Sequence, residues 1–75
     1  MARKSPIRNN IRTLRFHADE MTQQALGEQV GVTRQTVLAI EKGKYSPSLE
    51  VAFKIAQVFD VPLEWVCQFD GEGAR

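Results

Sequence analysis

Residues 22–43 read TQQALGEQVGVTRQTVLAIEKG, and this stretch decides the fold of the chain. Thr22 is a good cap for a helix, because its hydroxyl can accept a hydrogen bond from a backbone N–H of the first turn. Gly31 suits the end of that helix, since glycine adopts a left-handed backbone conformation at little cost. Thr33 then caps a second helix, whose inward face includes Val37 and another aliphatic residue three positions later. The stretch therefore predicts two short helices joined by a tight turn.

The second of these helices begins with three polar side chains, Arg34, Gln35 and Thr36. Arginine can bind guanine through two hydrogen bonds, glutamine can bind adenine in the same way, and a threonine methyl group can contact thymine. The alternative is an ordinary helical hairpin with a solvated polar face, because two packed helices are a common unit. These side chains differ from the Glu and Lys mixture typical of solvated faces, so they favour a helix-turn-helix that reads DNA.

Length and composition limit the class of protein further. The 75 residues have room for one domain with a small core, and the hydrophobic content of 43% is ordinary for a globular chain. No apolar run approaches the roughly 20 residues of a membrane span, and no apolar stretch follows the basic N-terminus as in a signal peptide. We therefore expect a cytoplasmic protein without a membrane partner. The lone Cys67 excludes an internal disulfide and a zinc site built on cysteine pairs, and we expect no metal or cofactor.

Charge is distributed unevenly along the chain, although the formal net charge is only +1. Residues 1–18 contain basic but no acidic side chains, and residues 60–72 contain acidic but no basic ones. The basic side chains of the first segment are Arg3, Lys4, Arg8, Arg12 and Arg15. Because phosphates attract cations, we expect the first segment to face DNA, with Arg12 among its phosphate contacts, and the second to face away.

The spacing of apolar residues predicts an all-α domain over residues 7–69. The fourth of its helices has the widest apolar stripe and is expected to be the central packing element. No stretch shows the alternation typical of a strand. In chain order, the predicted elements are a basic arm at 1–6, a first helix at about 7–17 capped by Ser5, the two helices within residues 22–43, a fourth helix at about 48–59 capped by Ser48, a short fifth helix at 63–69 and a flexible tail at 70–75.

Several separated stretches together resemble the phage repressor and Cro family of transcription regulators. They are IRTLR at 11–15, TQQAL at 22–26, GVTRQTV at 31–37, IEKGK at 40–44 and PSL at 47–49. The resemblance implies a compact five-helix repressor-like domain with a helix-turn-helix, as in the short members that consist of the DNA-binding domain alone. It also implies a repressor that binds double-stranded DNA as a homodimer on a palindromic operator.

The resemblance assigns roles to individual residues as well. Arg15 and Glu41 match an ion pair, partly buried, that ties the first helix to the end of the third. Gln23 matches a glutamine that bonds a phosphate and helps to orient the recognition helix. The implied base contacts are Arg34, Gln35, Thr36 and Ala39, and the implied or expected phosphate contacts are Gln23, Lys42, Lys44 and Arg12.

Two features depart from the family pattern. The segment between Leu14 and Thr22 is one residue longer than the commonest spacing, so contacts are not transferred to residues 16–20. Leu38 and Ala39 occupy positions that are often polar in relatives. Ala39 is then expected to contact a thymine methyl group, whereas Leu38 is expected to pack on Tyr45 rather than reach DNA.

The end of the predicted domain carries more apolar side chains than a short helix can bury in a small core. Aromatic anchors suit the centre of an interface, so we expect Trp65, Val66 and Phe69 to form the dimer interface. In the alternative, Trp65 closes the core of the monomer.

A different class of function is an antitoxin-like protein-interaction module that also binds DNA, with Leu38, Trp65 and Phe69 as its contacts. An enzyme is not expected, because His17 has no nucleophile or carboxylate at motif spacing. Asp19 and Glu20 are typical of a solvated connector rather than an acid/base pair. No binding site for a small-molecule effector is evident in the sequence.

Overall fold

The computed structural model describes residues 7–44 and 46–69, and these form five helices and two short strands. The strands are β1 (Ile7–Asn9) and β2 (Cys67–Phe69). The helices are α1 (Ile11–His17), α2 (Gln23–Val30), α3 (Arg34–Glu41), α4 (Leu49–Phe59) and α5 (Leu63–Val66). The helical class of the fold is confirmed, with a small sheet added to it. The expected arm at 1–6 and tail at 70–75 lie outside the described residues.

The two helices of the hairpin begin where the sequence predicts. Thr22 Oγ1 accepts a hydrogen bond from the N–H of Ala25 at 3.0 Å, and Thr33 Oγ1 accepts one from the N–H of Thr36 at 3.1 Å. Gly31 ends α2 with a φ of 84°, in the left-handed region where glycine is little strained. Local signals therefore fix both sides of the turn between α2 and α3.

Gly27 has a role in this turn that the sequence did not reveal. Its carbonyl oxygen accepts hydrogen bonds from the N–H groups of Gly31 and Val32, at 2.8 and 2.9 Å. A Cβ atom at position 27 would lie 2.6 Å from the carbonyl oxygen of Val32 and 3.3 Å from the carbonyl carbon of Thr33. The turn passes so close to α2 that only glycine fits there without a shift of the backbone.

The core is built from small and aliphatic side chains of all five helices. α4 contributes three of its buried residues and packs against both α2 and α5, which is the central role that its apolar stripe predicts. The buried apolar residues are Ile11, Leu26, Val30, Val37, Ile40, Ala52, Ile55, Ala56 and Val66. Ser48 caps α4 as predicted, since its Oγ accepts a hydrogen bond from the N–H of Val51 at 3.1 Å.

The small sheet corrects the predicted bounds of the first and last helices. β1 and β2 pair antiparallel, with Ile7 opposite Phe69 and Asn9 opposite Cys67. α1 therefore begins at Ile11 rather than at residue 7, and α5 ends four residues into the segment that was predicted as helix. Ser5, the predicted cap, lies outside the described residues. Among the described residues, Asn9 provides a side-chain acceptor at the start of α1: its Oδ1 accepts a hydrogen bond from the N–H of Ile11 at 3.2 Å.

Two asparagines join this sheet to the helices. Asn9 Nδ2 donates to the carbonyl oxygen of Ile40 at 2.8 Å and so holds the end of α3. The backbone N–H of Asn10 donates to the carbonyl of Val66 at 3.0 Å, and its side chain donates to that of Trp65 at 3.1 Å. Both ends of the described chain are thereby attached to the same edge of the core.

Candidate nucleic-acid interface

α3 presents its first turn to solvent. Arg34 and Gln35 are exposed, whereas Val37 and Ile40 face the core. Because successive residues of a helix are rotated by about 100°, the side of α3 opposite the core carries positions 35, 39 and 42. Gln35 therefore points away from the domain on a helix whose position is fixed by α2. A rigid helix with its first turn exposed is the geometry that reads a major groove.

The other predicted base contacts are less exposed. Thr36 is half-buried, and its Oγ1 lies 3.0 Å from Oγ1 of Thr33, so the two hydroxyls are already hydrogen-bonded to each other. The methyl group of Thr36 is the part that was predicted to contact a thymine. Ala39 and Leu38 are both half-buried. Tyr45, the expected partner of Leu38, lies outside the described residues.

The loop after α3 holds two exposed lysines in a defined position. Gly43 has a φ of 76°, and its N–H donates to the carbonyl of Ile40 at 2.9 Å. The N–H of Lys44 donates to the carbonyl of Ala39 at 3.0 Å. This pattern of hydrogen bonds around a left-handed glycine is a Schellman ending, which satisfies the last carbonyls of the helix. Lys42 and Lys44, both predicted to contact phosphates, flank this glycine at the end of α3 and are exposed.

Arg12 and Gln23 come together on the other side of the hairpin. Both line a depression of about 440 Å³ at the start of α2. Arg12 is exposed and Gln23 is half-buried. A cation beside the N-terminus of a helix favours binding of an anion, because the first N–H groups carry partial positive charge. The fold thus brings close together two residues that were predicted to contact phosphates for different reasons. The acidic side chain of Glu20 also lines this depression.

The predicted ion pair is present between α1 and the end of α3. Arg15 Nε donates to Glu41 Oε2 at 2.7 Å, and the Arg15 Nη2 group donates to Glu41 Oε1 at 3.0 Å. The side chains are 15% and 7% exposed, so the pair is largely removed from water. This hydrogen bonding raises the pKa of Arg15 above its usual value and outweighs the lowering caused by burial. Two hydrogen bonds join the guanidinium to the two carboxylate oxygens, so the pair is bidentate.

Two further hydrogen bonds extend this pair to α2. Arg15 Nη1 donates to the carbonyl oxygen of Met21 at 2.8 Å, just before the cap of α2. Gln23 Nε2 donates to Glu41 Oε1 at 3.2 Å. The sequence did not predict this bond, because it depends on the packing of α2 against the end of α3. One carboxylate therefore orients both the arginine and the glutamine that was assigned to a phosphate.

The longer segment before α2 is accommodated by an unusual backbone. Asp19 and Glu20 have φ values of 62° and 56°, two consecutive non-glycine residues in the left-handed region. Such residues cost about 1–2 kcal/mol each, so the surrounding contacts must hold them. The N–H of Met21 donates to the carbonyl of Arg15 at 3.0 Å, and that of Glu20 donates to the carbonyl of Phe16 at 3.2 Å. The loop thus closes directly onto α1.

The predicted basic and acidic segments are not fully separated in space. β1, which contains Arg8, pairs with β2 close to the acidic segment, and Arg8 lies opposite Gln68. Arg12 lies instead on α1, beside the start of α2. Strand pairing therefore holds Arg8 beside the acidic segment, whereas Arg12 lies beside the start of the hairpin.

The predicted dimer residues are divided by the fold. Val66 is fully buried in the core of this chain and is not available to a partner, because α5 turns this side chain inward. Trp65 and Phe69 are each 58% exposed. Cys67 is half-buried, as a small apolar residue, and desolvation raises the pKa of its thiol.

In residues 7–44 and 46–69, no group of three or more His, Cys, Asp or Glu side chains is placed to hold a metal ion. None of the helices there is long and apolar enough to cross a membrane.

Comparisons with known proteins agree on one family. The model of a family described as helix-turn-helix matches residues 11–66. A protein of Archaeoglobus fulgidus named as an HTH-type transcriptional regulator is 47% identical over 66 residues, which cover 88% of this chain and 93% of that protein. The transcriptional repressor RstR of the cryptic phage CTXphi from Vibrio cholerae is 40% identical over 55 residues, which cover 73% of this chain and 49% of that protein.

A solved structure agrees with these relatives in fold. A crystal structure of a protein from Bacteroides fragilis superposes with a TM-score of 0.72, covering 83% of this chain and 98% of that one. The sequence identity between the two chains is 24%, so the likeness concerns the fold alone.

Proposed function

This chain belongs to the helix-turn-helix family, and we propose that it is a transcriptional regulator that recognises a specific sequence in double-stranded DNA. The observation that carries the proposal is the exposed first turn of α3, where Arg34 and Gln35 project from a helix capped by Thr33. These are side chains that bind base edges through paired hydrogen bonds. The family is one of DNA-binding regulators and not a class of enzymes.

The proposed contacts divide into two groups. Base contacts come from one face of α3, and phosphate contacts surround that face on both sides. Phosphate contacts fix the orientation of the protein, and base contacts choose the sequence. The proposed base contacts are Arg34, Gln35, Thr36 and Ala39, and the proposed phosphate contacts are Gln23, Lys42, Lys44 and Arg12.

We also propose that the regulator is a repressor and acts as a homodimer on a palindromic operator. One recognition helix reads only a few base pairs, and two half-sites one helical turn apart multiply the specificity. The name of the phage relative supports repression. Of the three residues predicted for the dimer contact, Trp65 and Phe69 are exposed and Val66 is buried. Because a regulator of this kind acts on DNA inside the cell, we expect this chain to act in the cytoplasm.

A second candidate function is an antitoxin-like module that binds another protein as well as DNA. Large apolar side chains on the surface favour it, including Phe16, which is 63% exposed. Ionic strength discriminates the two modes of binding, because phosphate contacts weaken steeply with salt and an apolar protein interface does not.

Selection of bound duplexes from a random pool tests the proposed function directly. We expect enrichment of a palindromic sequence whose half-sites are about one helical turn apart. The purified protein should bind this selected site more tightly than unselected duplexes of the same length and salt concentration. A pool that stays random after repeated rounds would contradict the proposal.

A further inference from the structure

One side of the molecule carries exposed apolar side chains from two elements, α4 and β2. Leu49 and Phe53 on α4 are 67% and 50% exposed, and Phe69 on β2 is 58% exposed. Leu49 and Phe69 line a depression of about 390 Å³ together with Leu63. Phe53 lines a second depression of about 500 Å³, which Leu63 also borders. Leu49, Phe53, Leu63 and Phe69 therefore form one continuous area, the α4–sheet surface.

Trp65 lies apart from this surface. It follows Leu63 by two residues on α5, which rotates its side chain by about 200° from that of Leu63. It lines neither of the two depressions, and its carbonyl oxygen accepts the hydrogen bond from Asn10. The two exposed aromatic residues at the end of the chain thus belong to different surfaces. Only Phe69 is continuous with the exposed stripe of α4.

The charges beside the α4–sheet surface are self-complementary. Glu50 and Lys54 are exposed on α4 next to Leu49 and Phe53, and Lys54 Nζ lies 3.1 Å from Glu50 Oε2. If two copies pack α4 against α4 in antiparallel fashion, a two-fold axis between positions 50 and 54 brings each glutamate opposite a lysine of the other copy. In a parallel arrangement the Glu50–Lys54 flanks of the two copies lie on opposite sides of the interface and do not meet. The charge pattern therefore selects the antiparallel pair.

We propose that the α4–sheet surface is the site at which a second copy of this chain binds, with the two α4 helices antiparallel. The inference rests on the homodimer of the proposed function and specifies its interface. An apolar centre with complementary charges at the rim suits a two-fold contact. Phe53 and Phe69 provide the aromatic anchors that such centres favour.

Two substitutions with matched exposure test the surface. Phe53→Glu and Trp65→Glu each add a charge at an exposed aromatic position, and self-association is measured by sedimentation equilibrium without DNA. We expect the wild type to dimerise, Phe53→Glu to weaken dimerisation at least about a hundredfold, and Trp65→Glu to leave it unchanged. Circular dichroism checks that each variant is folded. Leu49→Glu, at the first position of α4, provides a second variant with the same expectation.

The opposite pattern of results overturns the proposal. Dissociation by Trp65→Glu with no effect of Phe53→Glu or Leu49→Glu would move the interface to the other face of α5. The proposal would also be overturned if the wild type stays monomeric at every protein concentration measured. The α4–sheet surface would then be a binding site for a different protein.

Charge reversal tests the antiparallel arrangement. Glu50→Lys alone and Lys54→Glu alone each place like charges opposite one another twice in a dimer. We expect each variant to dimerise about tenfold more weakly, since exposed pairs are individually weak. Mixing the two variants restores opposite charges at both positions, so the mixed dimer should recover the wild-type affinity. A mixture that associates no better than either variant alone would overturn the antiparallel arrangement.

Measurements of DNA binding distinguish an error in the proposed interface from an error in the proposed function. Folded Phe53→Glu should keep wild-type affinity for a duplex with one half-site and lose the extra affinity for the two-fold site. A wild type that dimerises through this surface but binds no duplex would contradict the proposed function and leave the interface standing.

Discussion

The helix-turn-helix of residues 22–44 and the terminal region, residues 7–10 with 60–69, are held together in different ways. In the first, each helix start is fixed by a threonine three residues away from the N–H that it binds. In the second, the defining hydrogen bond of Asn10 spans 55 residues of sequence. The difference teaches that the helix-turn-helix is specified locally, whereas the terminal region depends on contacts between distant parts of the sequence.

The two regions differ in the character of their surfaces as well. The hairpin exposes polar and basic groups, among them Arg34, Gln35 and Lys44. The terminal region and α4 expose Phe53, Trp65 and Phe69. A regulator that reads DNA as a dimer needs both kinds of surface, one for phosphates and bases and one for its partner.

The largest effect on stability is expected from Glu41→Ala, which removes the carboxylate that joins α1, α2 and α3. It leaves Arg15 without its ion pair and frees Gln23, so we expect a loss of about 3 kcal/mol in the free energy of unfolding. Urea unfolding of Glu41→Ala, Arg15→Ala and the double variant measures the coupling. Losses that simply add in the double variant would show that the pair does not stabilise the hairpin.

A smaller loss is expected from Gly27→Ala, where the turn approaches α2. The new Cβ would lie 2.6 Å from the carbonyl oxygen of Val32, and the strain should cost about 2 kcal/mol in the free energy of unfolding. Gly31→Ala is the matched control, because its new Cβ would meet open space. Only the left-handed φ should then lower the free energy of unfolding, by about 1 kcal/mol. If Gly31→Ala destabilises the protein more than Gly27→Ala does, the close approach of the turn is not the reason why position 27 needs glycine.

Lys44→Ala should change DNA binding without changing specificity. Loss of one phosphate contact should weaken binding to all duplexes alike and reduce the slope of log affinity against log salt by about one unit. Lys54→Ala, on α4, is the matched control and should leave that slope unchanged on a duplex with a single half-site. A sequence-dependent effect of Lys44→Ala would assign this lysine to the bases instead.

The smallest effect is expected in the terminal region. Asn10→Ala removes a hydrogen bond that is exposed to solvent, so the free energy of unfolding should fall by only about 1 kcal/mol or less. Thermal unfolding measures it, and half-site affinity should be unchanged. A loss as large as that of Glu41→Ala would mean that the terminal region is as important to the fold as the hairpin.

The sequence predicted the parts of the fold that are specified locally. The threonine caps at positions 22 and 33, the serine cap at position 48 and the left-handed Gly31 all have short-range signatures, and the structure contains each of them. The strands were missed because three residues are too few to show alternation, and because each needs a partner some 60 residues away. The burial of Val66 was not predictable either, because it depends on how α5 packs against the rest of the core.

The candidate site was predictable to a similar extent. The spacing of residues after Thr33 indicated that Arg34 and Gln35 would be exposed, and the family resemblance supplied the Arg15–Glu41 pair. The bond between Gln23 and Glu41 could not be predicted, because it depends on how α2 packs against the end of α3. The close approach at Gly27 likewise requires the three-dimensional path of the turn.

The central claim is that the first turn of α3 reads base pairs. The most direct test measures the affinity of the wild type, Arg34→Ala and Gln35→Ala for the selected site and for every single base-pair change in it, with Gln29→Ala, an exposed glutamine on α2, as control. Each α3 variant should lose about 1–3 kcal/mol on the selected site and should lose discrimination at one base pair only. Gln29→Ala should match the wild type. If Arg34→Ala and Gln35→Ala both keep the affinity and the sequence preference of the wild type, α3 is not the helix that reads DNA.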